Sequence, residues 1–266
     1  MPVNDFHIQV ATAHPGAEKK PSPKGRTLRT DISTGQDRLV AHIKLLSIED
    51  IAKEAICAVL AKIVHLPILQ AYYVNIDSTN LEDCSPGNIH NIAFGLQEDN
   101  LPAFRLASQQ LNIELINWPE SLRCAVFDQW IANGDRYPHN LLFAGNRHFW
   151  LIDHDGAFPS YVSPTAPVKS DILALLATNK SEFELYELRK KSMKYVEQYQ
   201  SIDWNEIYEL LLPTQLPGGS KYFKKYIQFL KIRTDDMQGI LTQALGIRQK
   251  ELELANPNQI TKETQK

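Results

Sequence analysis

The stretch FDQWIANGDRYPHNLLFAGNRHFWLIDHDGAF, residues 127–158, places Asp135, Asn140 and Asp153 around a predicted β-hairpin. Asp135 and Asn140 lie in one loop at the end of a predicted helix. Two short apolar runs on either side of the turn residues 144–146 have the pattern of paired strands. The hairpin therefore brings Asp153 back beside Asn140.

The three side chains Asp135, Asn140 and Asp153 have the chemistry of a magnesium-dependent phosphoryl-transfer site. Magnesium takes oxygen ligands and commonly uses one or two protein side chains together with substrate phosphates, so Asn140 and Asp153 are the predicted ligands. Asp135 is then the predicted base that accepts the proton of the attacking hydroxyl. Aspartate and asparagine also cap helices and fill turns, which is the structural alternative for each residue taken singly.

A lysine and a glutamate upstream supply the other half of this prediction. Residues 38–46 alternate as a strand does, and Lys44 lies near the end of that strand. A helix is predicted over 47–65, with Ser47 as its N-cap, and Glu54 lies in its second turn. A strand lysine that faces a helix glutamate can hold an ammonium group over nucleotide phosphates, although either residue alone could be an ordinary surface charge.

The order of strand lysine, helix glutamate, NGDRYPHN and LIDHDGAF resembles the HipA-like kinases, which share the protein-kinase-like fold with the phosphoinositide 3-kinases. The resemblance implies that Lys44 contacts the phosphates of ATP and that Glu54 orients Lys44. It also implies that Asp135 is the catalytic base and that Asn140 and Asp153 hold Mg²⁺.

The resemblance extends to neighbouring residues and also has departures. Arg136 would be catalytic or would brace the loop or a phosphate, and an arginine fixed by the core of its lobe is an equal possibility. His154 stands where many kinases have the phenylalanine of Asp-Phe-Gly, as in the HipA-like branch. Tyr137 stands where the lipid-kinase pattern has histidine, and His139 is one position from the asparagine.

The fold that the resemblance implies is α+β and two-lobed. Residues 1–98 would form a small antiparallel sheet with one helix, residues 99–250 a mostly helical lobe, and residues 251–266 a disordered tail. Strands are predicted at 6–10, 26–33, 38–46, 69–76 and 91–97. Helices beyond the catalytic region are predicted at 168–178, 181–199, 203–212 and 220–247.

The nucleotide cradle is predicted from weaker signals, since the N-terminal region contains no GxGxxG motif. The phosphate loop is placed at 15–25, where backbone amides assisted by Ser22 and Lys24 could bind phosphates as a nest. A disordered loop rich in proline and lysine is the alternative. The strand at 91–97 is predicted to pass between the lobes, with adenine contacts at Phe94, Gly95 and Leu96.

Composition excludes several other classes. The net charge is only −3, so no overall basic field favours nucleic acid. Basic and aromatic residues interleave at 219–233, a pattern that can bind single-stranded nucleic acid, but their helical period predicts a buried aromatic stripe with a solvated lysine face. Three cysteines without metal-ligand spacing, and no signal-peptide or membrane-span pattern, predict a reduced, cytoplasmic protein.

The segment 157–169 holds three prolines and several hydroxyl groups directly after the motif. By position it matches an activation segment. Autophosphorylation there is a hypothesis, with a proline-stiffened connector as the alternative. The candidate phosphosites are Ser160, Tyr161, Ser163 and Thr165.

Three functions remain open at this point. The first is an ATP- and Mg²⁺-dependent kinase with a hydroxyl as the acceptor, expected on a serine or threonine of a protein, while lipid and small-molecule acceptors stay open. The second is a pseudokinase that binds nucleotide as a regulatory module. The third is a metal phosphohydrolase that uses the His154–Asp155 dipeptide, with His148 or His139 as further ligands.

Overall fold

A computed structural model describes residues 6–20, 27–35, 37–76, 91–99, 106–136 and 140–247. Over these residues the chain is a mixed α+β protein with two sheets and seven helices. The strands are β1 Gln9–Ala13, β2 Glu18–Lys19, β3 Thr27–Thr34, β4 Asp37–Lys44, β5 Ala71–Asn75, β6 Ile92–Gln97, β7 Leu141–Phe143 and β8 Phe149–Leu151. The helices are α1 Ile48–Ile63, α2 Ser108–Asn117, α3 Ser121–Trp130, α4 Asp171–Ala177, α5 Glu182–Gln200, α6 Trp204–Leu210 and α7 Gly219–Ala244.

The larger sheet closes on itself, which the sequence did not predict. Its strands follow the order β1-β5-β6-β4-β3-β2, and β1 also pairs with β3, so five strands form a ring. The sheet is antiparallel except where β1 runs parallel to β5. The expectation of a purely antiparallel sheet is therefore wrong. The parallel pair is possible because α1 lies between β1 and β5 in the chain, and a parallel neighbour needs a long crossover of this kind.

Small and branched side chains fill the inside of the ring. Ala41 and Ile43 of β4 point inward with residues from the four other strands of the ring. Gly95 of β6 also faces inward, and a Cβ atom built on it would lie 2.8 Å from Cγ2 of Val74 and 3.3 Å from Cγ2 of Ile43. Gly95 is thus required by packing inside the ring.

Substitution of Gly95 by alanine is therefore expected to destabilise the protein by about 1–3 kcal/mol, the usual cost of overpacking a filled core. Thermal or urea unfolding measures this. Gly239→Ala is the matched control, because its added Cβ would meet only the end of the Asp236 side chain. Removing a helix glycine stabilises by about 0.5–1 kcal/mol. Equal stability of the Gly95 variant and the wild type would contradict the packing argument, because the ring interior would then have room for the added methyl group.

Helix α1 lies between the ring and the later helices. Ser47 caps it by accepting a hydrogen bond from the backbone N–H of Asp50, as predicted. Most of the helix is buried, with contacts to β6, α6 and α7. Glu54 is a charged residue at full burial within it. Its partners lie in the functional site described below.

The smaller sheet is the predicted hairpin. Leu141 pairs with Leu151 and Phe143 with Phe149, and the turn between them includes Gly145 at a φ of +83°. The backbone N–H of Leu151 donates to the carbonyl of Pro67, which ties the hairpin to the chain after α1.

Other elements differ in detail from the prediction. Strand β1 begins at Gln9 rather than at residue 6, and α2 was not predicted. The four C-terminal helices occur where they were expected. In α7 the predicted aromatic stripe is present, with Phe223 and Tyr226 buried, but Arg233 is also fully buried. The lysines of 219–233 are exposed, as predicted, whereas Arg233 is not.

Candidate active site

Lys44 lies at the centre of the site. The alternation of β4 turns Ala41 and Ile43 into the ring, so Lys44 projects from the outer face toward α1. Its Nζ donates to Oε1 of Glu54 at 2.5 Å and to Oδ1 of Asp153 at 3.0 Å. One ammonium group thus joins the sheet, α1 and the chain that follows β8.

Charge pairing fixes the protonation of both partners. Burial alone would lower the pKa of Lys44, but the carboxylates of Glu54 and Asp153 outweigh that effect and raise it. Burial would raise the pKa of Glu54, yet Lys44 and His154 together lower it. Because a buried charge survives only when it is paired and hydrogen-bonded, the site holds an ammonium between two carboxylates.

His154 completes the environment of Glu54, a role that the sequence did not reveal. Oε2 of Glu54 accepts from the backbone N–H of His154 at 3.0 Å and lies 3.3 Å from its Nδ1. Burial chiefly, with the nearby Arg136 charge, lowers the pKa of His154 to about 4, so the ring is neutral at physiological pH. The ring packs edge-on against Phe127. His154 therefore fixes the second carboxylate oxygen of Glu54.

Asp153 adopts an unusual backbone conformation. Its φ is +59°, in the left-handed region that only a few per cent of non-glycine residues occupy. The residue follows β8 directly, and its side chain is about one-third exposed. The conformation is held by bonds on either side, from Ile152 N–H to the Asn140 carbonyl and from His154 N–H to Glu54. Strained backbone of this kind is typical of functional sites.

Asp135 and Asn140 contact each other across their loop. The amide Nδ2 of Asn140 donates to the backbone carbonyl of Asp135 at 2.5 Å and lies 3.4 Å from its Oδ2. Asp135 is exposed, whereas Asn140 is buried. A Cβ atom built on Gly156 would lie 3.4 Å from Cβ of Asp135, so the chain after Asp153 packs directly beside it. The structure thus brings these side chains into one region.

The buried contacts of Arg136 hold the loop and the hairpin together. Its side chain is buried, and its Nε and Nη2 donate to the carboxylate of Asp128 in α3 at 2.9–3.2 Å. Its Nη1 donates to the carbonyls of Asn140 and Ile152. Burial alone would lower the pKa of Arg136, but Asp128 raises it. Arg136 therefore fixes the position of the loop and the hairpin, in line with the two structural roles that the sequence left open. A catalytic role for Arg136 stays a prediction.

A family model for HipA-like kinases matches residues 35–214 of the chain, a range that contains Lys44, Glu54 and the whole hairpin. The chain belongs to the HipA-like kinase family. It is therefore a phosphotransferase. No curated protein matches the sequence.

A solved structure similar to this HipA-like kinase is that of the Helicobacter pylori proinflammatory kinase CtkA. The TM-score is 0.48 and the identity is 11%, over 89% of this chain and 99% of the other.

The predicted phosphate loop of this HipA-like kinase is only partly described. Ser22 and Lys24 lie outside the described residues. Residues 18–19 form strand β2 instead of loop, so the prediction of one continuous loop at 15–25 is wrong. The described ends of the β2–β3 connection lie close to the site, since Lys20 N–H donates to the Thr27 carbonyl and Thr27 pairs with Lys44.

The predicted adenine contacts through the backbone of Phe94, Gly95 and Leu96 are wrong. Strand β6 lies between β4 and β5, and all three residues pair with both neighbours. Their backbone groups are therefore used within the sheet. Gly95 faces the ring interior, whereas Phe94 and Leu96 pack toward α1.

The donor set for a metal consists of hard oxygen atoms. Because Nδ2 of Asn140 donates to Asp135, its Oδ1 is the atom that remains for a cation. The carboxylates of Asp153 and Asp135 lie nearby. In the described ranges no group of three or more His, Cys, Asp or Glu side chains could hold a metal. The carboxylate of Asp153 and the amide oxygen of Asn140, completed by substrate oxygens, fit magnesium.

The geometry does not support the phosphohydrolase alternative. The ring of His154 is buried and faces Glu54, and the ring of His148 packs edge-on against Trp150 at 4.6 Å. His139 lies outside the described residues.

No helix in the described part of this HipA-like kinase has the length and apolar character to cross a membrane.

Proposed function

We propose that this HipA-like kinase transfers the γ-phosphoryl group of ATP to a hydroxyl group, with Mg²⁺ as cofactor and a serine or threonine of a protein as acceptor. The observation that carries the proposal is the position of Lys44, whose ammonium bridges Glu54 and Asp153. The loop between α3 and the hairpin adds Asp135 and Asn140, which contact each other. Phosphoryl transfer depends on positioning and charge neutralisation, which such a group supplies.

Lys44 has the capacity to bind a phosphate oxygen. An ammonium group has three N–H donors, and Glu54 and Asp153 engage two of them. In the described part of the chain no further acceptor engages the third, which would bind the nucleotide. Since α1 fixes Glu54 and His154 anchors its second oxygen, Lys44 is held in position before the nucleotide binds.

Asn140 and Asp153 would hold the metal. When bound, Mg²⁺ would neutralise phosphate charge that develops during transfer. Asn140 is oriented for this by the hydrogen bond that its side-chain amide donates to the Asp135 carbonyl. Asp153 is oriented by its left-handed backbone and by Lys44.

Asp135 would act as the base. Its carboxylate is exposed at the rim of the site, so a side chain of a large partner can reach it. Asn133 accepts a hydrogen bond from the backbone N–H of Asp135, which fixes the start of the loop. A carboxylate positioned in this way accepts the proton of an attacking hydroxyl.

The proposed organisation is that of a two-lobed kinase. The ring of strands and α1, within residues 1–98, would bind the nucleotide, and residues 99–250 would supply the catalytic loop and hairpin. Ser22 and Lys24 in the β2–β3 connection would contact the phosphates. The chain from residue 98 onward would contact adenine in place of β6.

The direct test is phosphoryl transfer by the purified protein from γ-labelled ATP with Mg²⁺, with casein as a general protein acceptor and water as the minimal one. We expect label on serine or threonine and ADP formation, both abolished by EDTA. ATP bound without ADP formation for either acceptor would contradict the proposal and select the pseudokinase alternative. Phosphoamino-acid analysis of the labelled casein tests the Ser/Thr assignment.

A further inference from the structure

Arg233 is a buried arginine that the catalytic site does not use. It lies in α7 and has no exposed surface. Its guanidinium donates to four backbone carbonyls, those of Gln129, Ser163, Pro164 and Ala166, at 2.5–3.2 Å. Among the described residues it forms no ion pair with a carboxylate. A full charge is thus buried to bind backbone oxygens.

Three of those carbonyls belong to the segment 157–169, which follows Asp153. The same segment is tied at both ends. The N–H of Phe158 donates to the Ile131 carbonyl, and its ring stacks on Tyr226 of α7 with 4.6 Å between centroids. At the other end, the side-chain amide of Gln129 donates to the Val168 carbonyl at 2.7 Å and accepts from the Val168 N–H at 3.0 Å.

The segment also supports the catalytic loop. A Cβ atom built on Gly134 would lie 3.4 Å from the carbonyl of Lys169, so the residue before Asp135 packs on the end of the segment. Gln129, whose carbonyl Arg233 also binds, lies in the helix that leads to this loop. A displacement of the segment would therefore move Asp135.

An ordered segment of this kind commonly depends on a phosphorylated side chain that pairs with an arginine. Here the hydroxyl-bearing residues Ser160, Tyr161, Ser163 and Thr165 are exposed. The two buried arginines of the region are already engaged, Arg136 by Asp128 and Arg233 by carbonyls. The buried guanidinium of Arg233 thus orders the segment in the way that a phosphate paired with an arginine would.

We propose that Arg233 is a positioning residue that holds segment 157–169 in its working conformation, so that the enzyme needs no phosphate on this segment. The catalytic part of this inference rests on the proposed kinase function. The claim that Arg233 orders the segment does not rest on the kinase function, because the order of the segment can be measured independently of turnover.

The first test uses wild-type protein treated with a protein phosphatase and verified as unphosphorylated by intact mass. Hydrogen–deuterium exchange should show protected amides at Phe158, Ala166 and Val168, and ATP turnover should proceed without a lag. The variant with Ser160→Ala, Tyr161→Phe, Ser163→Ala and Thr165→Val should retain wild-type kcat. An unprotected segment, a lag removed by phosphorylation or an inactive fourfold variant would overturn the proposal.

The second test is Arg233→Lys, which keeps the charge but lacks the planar fork that reaches several carbonyls. We expect loss of amide protection in the segment and a fall in kcat of about 100-fold, as for a misplaced catalytic group, with KM for ATP unchanged. Arg189→Lys is the matched control, because Arg189 joins α5 to Thr242 of α7 away from the segment. Unchanged protection and kcat in a folded Arg233→Lys protein would refute the positioning role.

The two proposals fail in distinguishable ways. Wild-type protein with an ordered, unphosphorylated segment but no turnover would refute the kinase proposal and leave the role of Arg233 in ordering the segment intact. Turnover that appears only after phosphorylation of the segment would confirm the kinase and refute the inference. If Arg233→Lys does not fold, the wild-type exchange pattern and the fourfold variant still decide whether the segment is ordered and active without phosphate.

Discussion

Asp153→Asn is expected to lower phosphoryl transfer by about 100- to 1000-fold, the scale of losing an electrostatic contact to the reacting group. The carboxylate both accepts from Lys44 and is the proposed charged ligand of the metal, and the amide replaces it without charge. Asparagine tolerates the left-handed backbone that Asp153 adopts, so the fold should persist. Turnover of ATP with Mg²⁺ and thermal unfolding measure the two outcomes.

The comparison with Asp135→Asn separates the two proposed roles. Asp135→Asn should also abolish transfer, but it should leave Mg²⁺-dependent ATP binding close to that of the wild type. Asp153→Asn should weaken that binding. Asp235→Asn, on the exposed face of α7, is the control for the loss of one negative charge. Near-wild-type turnover in the Asp153 variant would contradict the site assignment.

The parts of the fold that could be predicted are those encoded locally. Turn residues between two apolar runs predicted the β7–β8 hairpin, and Ser47 with Asp50 marked the start of α1. Alternation in β4 placed Lys44 on the opposite face from Ala41 and Ile43. Each of these signals needs only a few consecutive residues, so tertiary contacts did not overturn them.

The parts that could not be predicted depend on contacts distant in sequence. The ring closes because β1 pairs with both β5 and β3, and a strand pattern alone does not choose partners. Helix α2 buries only Leu111 and Leu115, which leaves too weak an apolar stripe to recognise. The sequence predicts a ligand contact at Gly95, whereas the packed interior of the ring explains the glycine because it excludes a side chain there.

Buried charges were missed for a related reason. Charged residues are normally assigned to the surface, and burial becomes acceptable only when a partner is known. Arg233 binds carbonyls up to 104 residues away in the chain. Asp128 offered one local signal, as a lone carboxylate inside the otherwise uncharged run CAVFDQW. Its partner Arg136 lay close in sequence, but only the folded loop shows that they meet.

That buried pair gives the largest expected effect on stability. Asp128→Ala would leave the guanidinium of Arg136 buried without its carboxylate, and Arg136→Met would strand Asp128 in the same way. Each single change is expected to cost about 3–5 kcal/mol of unfolding free energy. Urea unfolding measures the loss directly.

A double-mutant cycle distinguishes pairing from packing. The double variant Asp128→Ala with Arg136→Met removes both charges, so it should cost clearly less than the sum of the single changes. The control is Arg29 and Glu98, an ion pair at 2.7 Å with each side chain about one-third exposed, which should contribute only about 0–1 kcal/mol. Single costs no larger than those of the control would contradict a role for the pair. Since Arg136 also holds the carbonyls of Asn140 and Ile152, folded variants of the pair should lose activity as well.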